Sequence, residues 1–223
     1  NMDTAFINKT LFNDDISGWD TSSVTSMEGM FENAVSFNQN ITGWNTSNVA
    51  NFVQMFSGAA IFNQEIGLWN TSSAGRFNRM FSYAGAFNNN NSSSIGNWIT
   101  GNCTNASYMF LFATNFNQDI SFWNVSSITD MSSMFEQASN FNKPVGSWNV
   151  SSVTDMTNMF RNAASFNGTD IGNWNIENLT TCSYMFASAT NFNQDISNWN
   201  VSSITDMNSM FASATNFNQD ISG

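Results

Sequence analysis

The chain has 223 residues, with 16 acidic and 5 basic side chains, no histidine and a net charge of −11. This acid excess argues against nucleic acid and against direct insertion into an anionic membrane surface, since both partners are held by clustered Lys and Arg. The absence of histidine removes the commonest general base and the commonest metal ligand, while a 41% hydrophobic content supports a sizeable core.

The chain opens inside a unit that recurs to its end. Asn1 to Phe6 line up with Ser26 to Phe31, and Trp follows at 19, 44, 69, 98, 123, 148, 174 and 199. Met-Phe pairs fall at 30–31, 55–56, 80–81, 109–110, 134–135, 159–160, 185–186 and 210–211, a step of 25 residues. That step is broken by four extra residues between Phe87 and Trp98, and by one between Phe166 and Trp174. Both insertions are rich in Asn, Ser and Gly, which predicts surface loops. Residues 1–223 are expected to form a single repeat array of about nine coils, because one unit has too little apolar surface to fold alone. Terminal repeats of an array usually carry a polar cap. Neither end reads as one, so the chain is expected to be a fragment of a longer protein.

Within a unit, the pattern is cleanest from Phe116 to Ala138. Asn117 follows a predicted core Phe and has a counterpart in every copy, which predicts an asparagine ladder bonding the turn and the next coil. Trp123 and Val125 alternate as one buried face of a strand. The Val125 column holds Thr21, Thr46, Thr71 and Thr100 in the first half, whose inward hydroxyls need partners, expected to be local backbone carbonyls. Met131, Met134, Phe135 and Ala138 sit at i, i+3, i+4 and i+7, which predicts a two-turn amphipathic helix with Asp130 as its N-cap. The predicted fold class is an α/β solenoid, with a parallel sheet on one face and short helices on the other.

The Ile-x-x-Trp-x-Val-x-x-Ile spacing resembles the leucine-rich-repeat strand, with Trp in one Leu place. More specifically, FNQDIS-x-WNVSS-[VI]-TDM-x-x-MF resembles the BspA-type surface-protein repeat, the DUF285 family, over essentially the whole chain. The resemblance implies a leucine-rich-repeat-like solenoid in an extracellular or cell-surface setting. The chain differs in having Asn more often than Asp after the Trp, and in having few Lys.

No catalytic constellation can be assembled from these residues, so no enzyme activity and no cofactor are expected. Cys103 and Cys182 fall three coils apart, about 14 Å at strand spacing, whereas a disulfide needs Cα atoms within roughly 7 Å. Two buried free thiols are predicted. Asp15, Glu65, Asp119, Asp170, Asp195 and Asp220 recur four residues before a Trp position and read as solvated loop acids, with no calcium-loop motif around them. Asn-x-Ser/Thr sequons make Asn40, Asn90, Asn91 and Asn167 glycosylation candidates on variable loops, with Asn45, Asn70, Asn124, Asn149 and Asn200 a second set facing outward opposite the Trp column.

The outward face is expected to display Asn124, Ser126, Asn149, Ser151, Asn200 and Ser202 at coil spacing. The expected function is a non-enzymatic extracellular structural module, acting in adhesion, as a spacer or as a subunit of a surface fibre or coat. Its partners would be protein or glycan at a cell surface, or other copies of itself. The alternative is specific recognition of glycan or ice by the same Asn/Ser face.

Overall fold

A computed structural model describes residues 1–221. Successive 25-residue units lie on one another as coils, each hydrogen-bonded to the next along its length. The parallel bridges Asn105↔Asp130, Asp130↔Asp155 and Asp155↔Thr181 mark the register, which stays in phase across both insertions.

The expected helices and sheet are not what the units form. Among the described residues there is no α-helix and no extended strand ladder, only short 3-10 helices at Asn89–Asn91, Ser93–Asn97 and Ile171–Asn173. In the stretch predicted as helical, the N–H groups of Met131, Ser133, Phe135 and Gln137 donate to Asp155, Thr157, Met159 and Arg161 of the next coil at 2.8–3.0 Å. The N–H groups of Met134, Glu136 and Ala138 instead close turns on Met131, Ser133 and Phe135. The alternation requires left-handed backbone at every fourth residue, and Ser133 and Gln137 have φ of 53° and 62°. A run of such turns puts two apolar residues inward per four, so it reproduces the i, i+3, i+4, i+7 pattern of a helix. Met131, Met134, Phe135 and Ala138 are all fully buried as anticipated. Asp130 also keeps its capping chemistry, its Oδ1 accepting the N–H of Ser132 at 2.9 Å, but in a turn of the coil and not at a helix start.

The Trp-x-Val segment is extended, yet among the described residues no backbone ladder joins it to its neighbours, so the predicted sheet has no lateral bonds there. Side chains take over that role. The indole N–H of each Trp from Trp44 to Trp199 donates to an Ile or Val carbonyl of the preceding coil at 3.0–3.2 Å. The inward hydroxyls of Thr21, Thr46, Thr71 and Thr100 reach the carbonyls of Asn45, Asn70, Ile99 and Asn124 in the following coil, not local ones. Between these columns lies one continuous core from Ile16 to Met210, in which phenylalanines stack within a coil and across coils. Phe135 and Phe141 lie 4.1 Å apart in one coil, and Phe135 and Phe160 lie 5.5 Å apart across two.

The asparagine ladder is complete from Asn13 to Asn218: each side-chain oxygen accepts the backbone N–H of the next Asn at 2.8–3.1 Å. The ladder crosses the four-residue insertion between Asn88 and Asn117 without a break. That insertion is more than the surface loop expected from its composition. Asn89 is fully buried, its Oδ1 accepting the Ile66 N–H at 2.8 Å and its Nδ2 donating to Ser92 O and Ser94 Oγ. A buried amide satisfied on every side costs little, whereas composition alone marked it as exposed.

Asn63 Oδ1 accepts from both Asn88 and Asn90, at 2.8 and 3.0 Å. Replacing Asn63 with Ala leaves both donors without this acceptor and is expected to cost about 1–3 kcal/mol in urea unfolding. Asn13→Ala, at an exposed position where water can substitute, is expected to cost clearly less.

Candidate functional surface

The surface opposite the Trp column carries the residues singled out from the sequence. Asn124, Asn149 and Asn200 are exposed, one coil or two apart, while Trp123, Trp148 and Trp199 beside them point into the core. The side-chain oxygens of these Asn residues are committed to their own turns. Asn124 Oδ1 accepts the Ser126 N–H and Oγ at 3.1 and 2.7 Å, and Asn149 and Asn200 likewise accept the N–H groups of Ser151 and Ser202. The Nδ2 groups of these three residues make no hydrogen bond among the described residues, so each turns an amide donor to solvent. Asn45 and Asn70 repeat the arrangement, and Ile99 interrupts it.

A second column along this surface went unnoticed in the sequence because its residues look like part of the helix cap. Thr104, Thr129, Thr154, Thr180 and Thr205 are all exposed. The hydroxyls of Thr129, Thr154, Thr180 and Thr205 donate to the Thr carbonyl of the preceding coil at 2.8–3.3 Å. The four hydroxyls are therefore committed along the row, one to each preceding coil.

Of the loop sequons, Asn40, Asn90 and Asn91 are exposed. Asn167 is half-buried and belongs to the ladder, its Oδ1 accepting the Asn193 N–H at 3.1 Å.

Three acids of the acidic column are turn caps. Asp15, Asp119 and Asp195 accept the N–H groups of Ser17, Ser121 and Ser197 at 2.9–3.0 Å. Glu65 instead takes the hydroxyls of Ser92 and Ser94 from the inserted segment, and Asp170, in left-handed backbone at φ 66°, makes no side-chain cap bond. Hydrogen bonds from the Ser17 and Ser197 N–H groups hold the carboxyls of Asp15 and Asp195 below their ordinary value of 3.8, and the Ser22 hydroxyl and N–H do the same for Asp20. Among the described residues no three His, Cys, Asp or Glu side chains come together in a way that could hold a metal ion. No described helix is long and apolar enough to cross a membrane.

Cys103 and Cys182 are both buried and unpaired, as the coil spacing predicts. Burial pushes each thiol up to about 11, so neither is a nucleophile near neutral pH.

Comparison with known proteins gives a consistent family match. The profile described as "Mycoplasma protein of unknown function, DUF285" matches residues 1–94, 89–170 and 166–223, which together span the chain. Among solved structures, an internalin (inlF) from Listeria monocytogenes str. 4b F2365 aligns at 9% identity over 86% of this chain and 76% of that one. Its TM-score of 0.19 is too low to bear on the fold. No curated protein matches the sequence.

Two predictions follow from the titratable groups. Carboxyls depressed in the folded state stabilise it above the ordinary value of 3.8, and that contribution is lost as pH falls through the folded values. With no histidine to titrate, the thermal midpoint should stay nearly flat from about pH 8 to 5 and drop below 3.8. Asp15→Asn with Asp195→Asn, which keeps the capping oxygens, should blunt that drop in melts followed by circular dichroism. Ellman's reagent should find no reactive thiol in the native protein and two after denaturation; a native signal would contradict the burial of Cys103 and Cys182.

Proposed function

Because the chain belongs to the DUF285 family, we propose that it acts as a non-enzymatic extracellular repeat module, in adhesion or as a subunit of a surface fibre or coat. The observation that carries this reading is the row of amide donors at Asn45, Asn70, Asn124, Asn149 and Asn200. Each is held by the same turn and presented once per coil. A single such donor binds weakly, whereas many at fixed spacing add through multivalency to a partner that is itself repetitive.

The committed chemistry of the other groups supports a non-enzymatic role. Aspartates that cap turns and thiols that are buried and neutral are poorly placed as a base or a nucleophile. The family resemblance favours a location outside the cell, and passage through a eukaryotic secretory pathway would place glycans on the exposed sequons at Asn40, Asn90 and Asn91. Partners of this face are glycans, proteins or other copies of the chain with exposed acceptor oxygens, since the face offers N–H groups more than acceptors.

The test uses aspartate, which preserves the capping oxygen and removes the donors. Asp20 already occupies this column and accepts the Ser22 N–H at 2.9 Å, so the substitution suits the turn. Beads carrying the chain are assayed for retention on a glycan array and on a layer of the same protein. The triple variant Asn124→Asp, Asn149→Asp, Asn200→Asp should lose most of its retention, while any one substitution changes it little. Equal retention of the wild type and the triple variant overturns the reading.

A further inference from the structure

The left-handed positions that make the coils possible also show where the array departs from simple repetition. Most coils fill these two positions with small or amide side chains: Gly29 and Asn33, Gln54 and Gly58, Ser133 and Gln137, Asn158 and Asn162, Ser209 and Ser213; one further coil pairs an aromatic with a small residue, Tyr184 with Ser188. Two adjacent coils instead place large planar side chains at all four of their positions: Arg79 and Tyr83 in one, Tyr108 and Phe112 in the next, with φ between 55° and 60°. A bulky residue in this region is strained, and strain of this kind gathers at ligand sites. Core packing does not explain the choice. Tyr83 is 53% exposed, and Arg79, Tyr108 and Phe112 are only partly buried.

The four side chains form two stacked pairs across the coil boundary. The rings of Tyr83 and Phe112 are nearly parallel, with centroids 4.8 Å apart, and the Arg79 guanidinium lies 4.0 Å over the Tyr108 ring. On the other side of Tyr83 the same column holds Gly58, which has no side chain, and beyond it Asn33. The Asn33 side-chain oxygen leans over Gly58, where a Cβ would collide with it. The place a side chain would take over Gly58 is held by this amide, so the Tyr83 ring has an aromatic neighbour on one face only, and the residue is 53% open to solvent. An exposed aromatic ring beside an amide oxygen suits a sugar, whose C–H groups lie on the ring and whose hydroxyls reach the amide.

Charge selects among such rings. The chain carries 16 acidic side chains against 5 basic ones, and Arg76 and Arg79 of the same coil supply two of those cations. Arg161 is paired with Glu136 at 3.3 Å, but neither Arg76 nor Arg79 makes an ion pair among the described residues. The nearby Glu32 carboxylate is met by the Gln54 amide at 3.3 Å. We infer that Tyr83, Gly58 and Asn33, with Arg79 and Arg76, form a binding platform for an acidic polysaccharide, the sugar ring on Tyr83 and its carboxylate at the arginines. The inference rests on the reading of the chain as a surface module and names the partner for one place on it, away from the repeated Asn face.

Alginate, dextran and poly-L-glutamate serve as probes in affinity electrophoresis of the whole chain, with Tyr83→Asn, Arg79→Ser and Tyr184→Ser as variants. Asn and Ser already occupy these columns in other coils, so the first two variants relieve strain and should melt at or above the wild-type temperature. Alginate should be bound in preference to dextran and to poly-L-glutamate, and more weakly at high salt. Tyr83→Asn and Arg79→Ser should each weaken it by about tenfold, with Tyr184→Ser unchanged. The Asn124, Asn149, Asn200 triple variant should still prefer alginate even if the repeated face proves inert, which separates the failure of one reading from that of the other. Dextran or poly-L-glutamate bound as well as alginate, undiminished binding by the two platform variants, or a lowered melting temperature for Tyr83→Asn each overturns the inference.

Discussion

Every level of this structure depends on the alternation of backbone N–H groups in the Met-x-x-Met-Phe stretch, where one group closes a turn within the coil and the next reaches the coil beyond. An α-helix would satisfy the same groups internally and leave neighbouring coils joined by side-chain packing alone. The left-handed residues at every fourth position turn half of those donors outward along the stack, so secondary and tertiary structure are made by the same bonds. A single coil therefore has nowhere to place half of its donors, and the array is cooperative by construction.

The side-chain ladders complete this scheme where the backbone cannot. At the Trp-x-Val segment the backbone carries no ladder, and indole N–H groups and threonine hydroxyls replace it. Asparagine does the same at the turn after each buried Phe. These polar columns flank the stacked aromatics and hold them in register, and register in turn keeps a surface amide at the same place on each coil. The even spacing of the exposed face is thus a by-product of satisfying the interior.

Much of this was legible in the sequence, for reasons that can be stated residue by residue. A Trp alternating with a β-branched residue can only be inward, an Asn after every buried Phe needs a repeating partner, and two cysteines three coils apart cannot meet. The helix misled because inward periodicity does not distinguish a helix from a staircase of turns. The clue lay in Gly29, Gly58 and the Asn residues Asn33, Asn158 and Asn162 of the same columns, which are poor helix formers and good left-handed ones. The exposed threonine row and the aromatic platform were hidden for a different reason. Their meaning depends on which neighbour lies across the coil boundary, and Tyr83 next to Gly58 in sequence alignment says nothing until the rings are seen to stack.

The direction of the ladders has a consequence for length. The N–H groups of Met131, Ser133, Phe135 and Gln137 point toward the C-terminal end of the stack, while those of Thr129, Asn140, Asn142 and the Trp148 indole point toward the N-terminal end. Their dipoles oppose one another, unlike the aligned peptide dipoles of a helix, which sum to a macrodipole with partial charges at its ends. Lengthening such an array adds dipoles of both directions together, so its axial field grows less than that of a helix extended by the same number of residues.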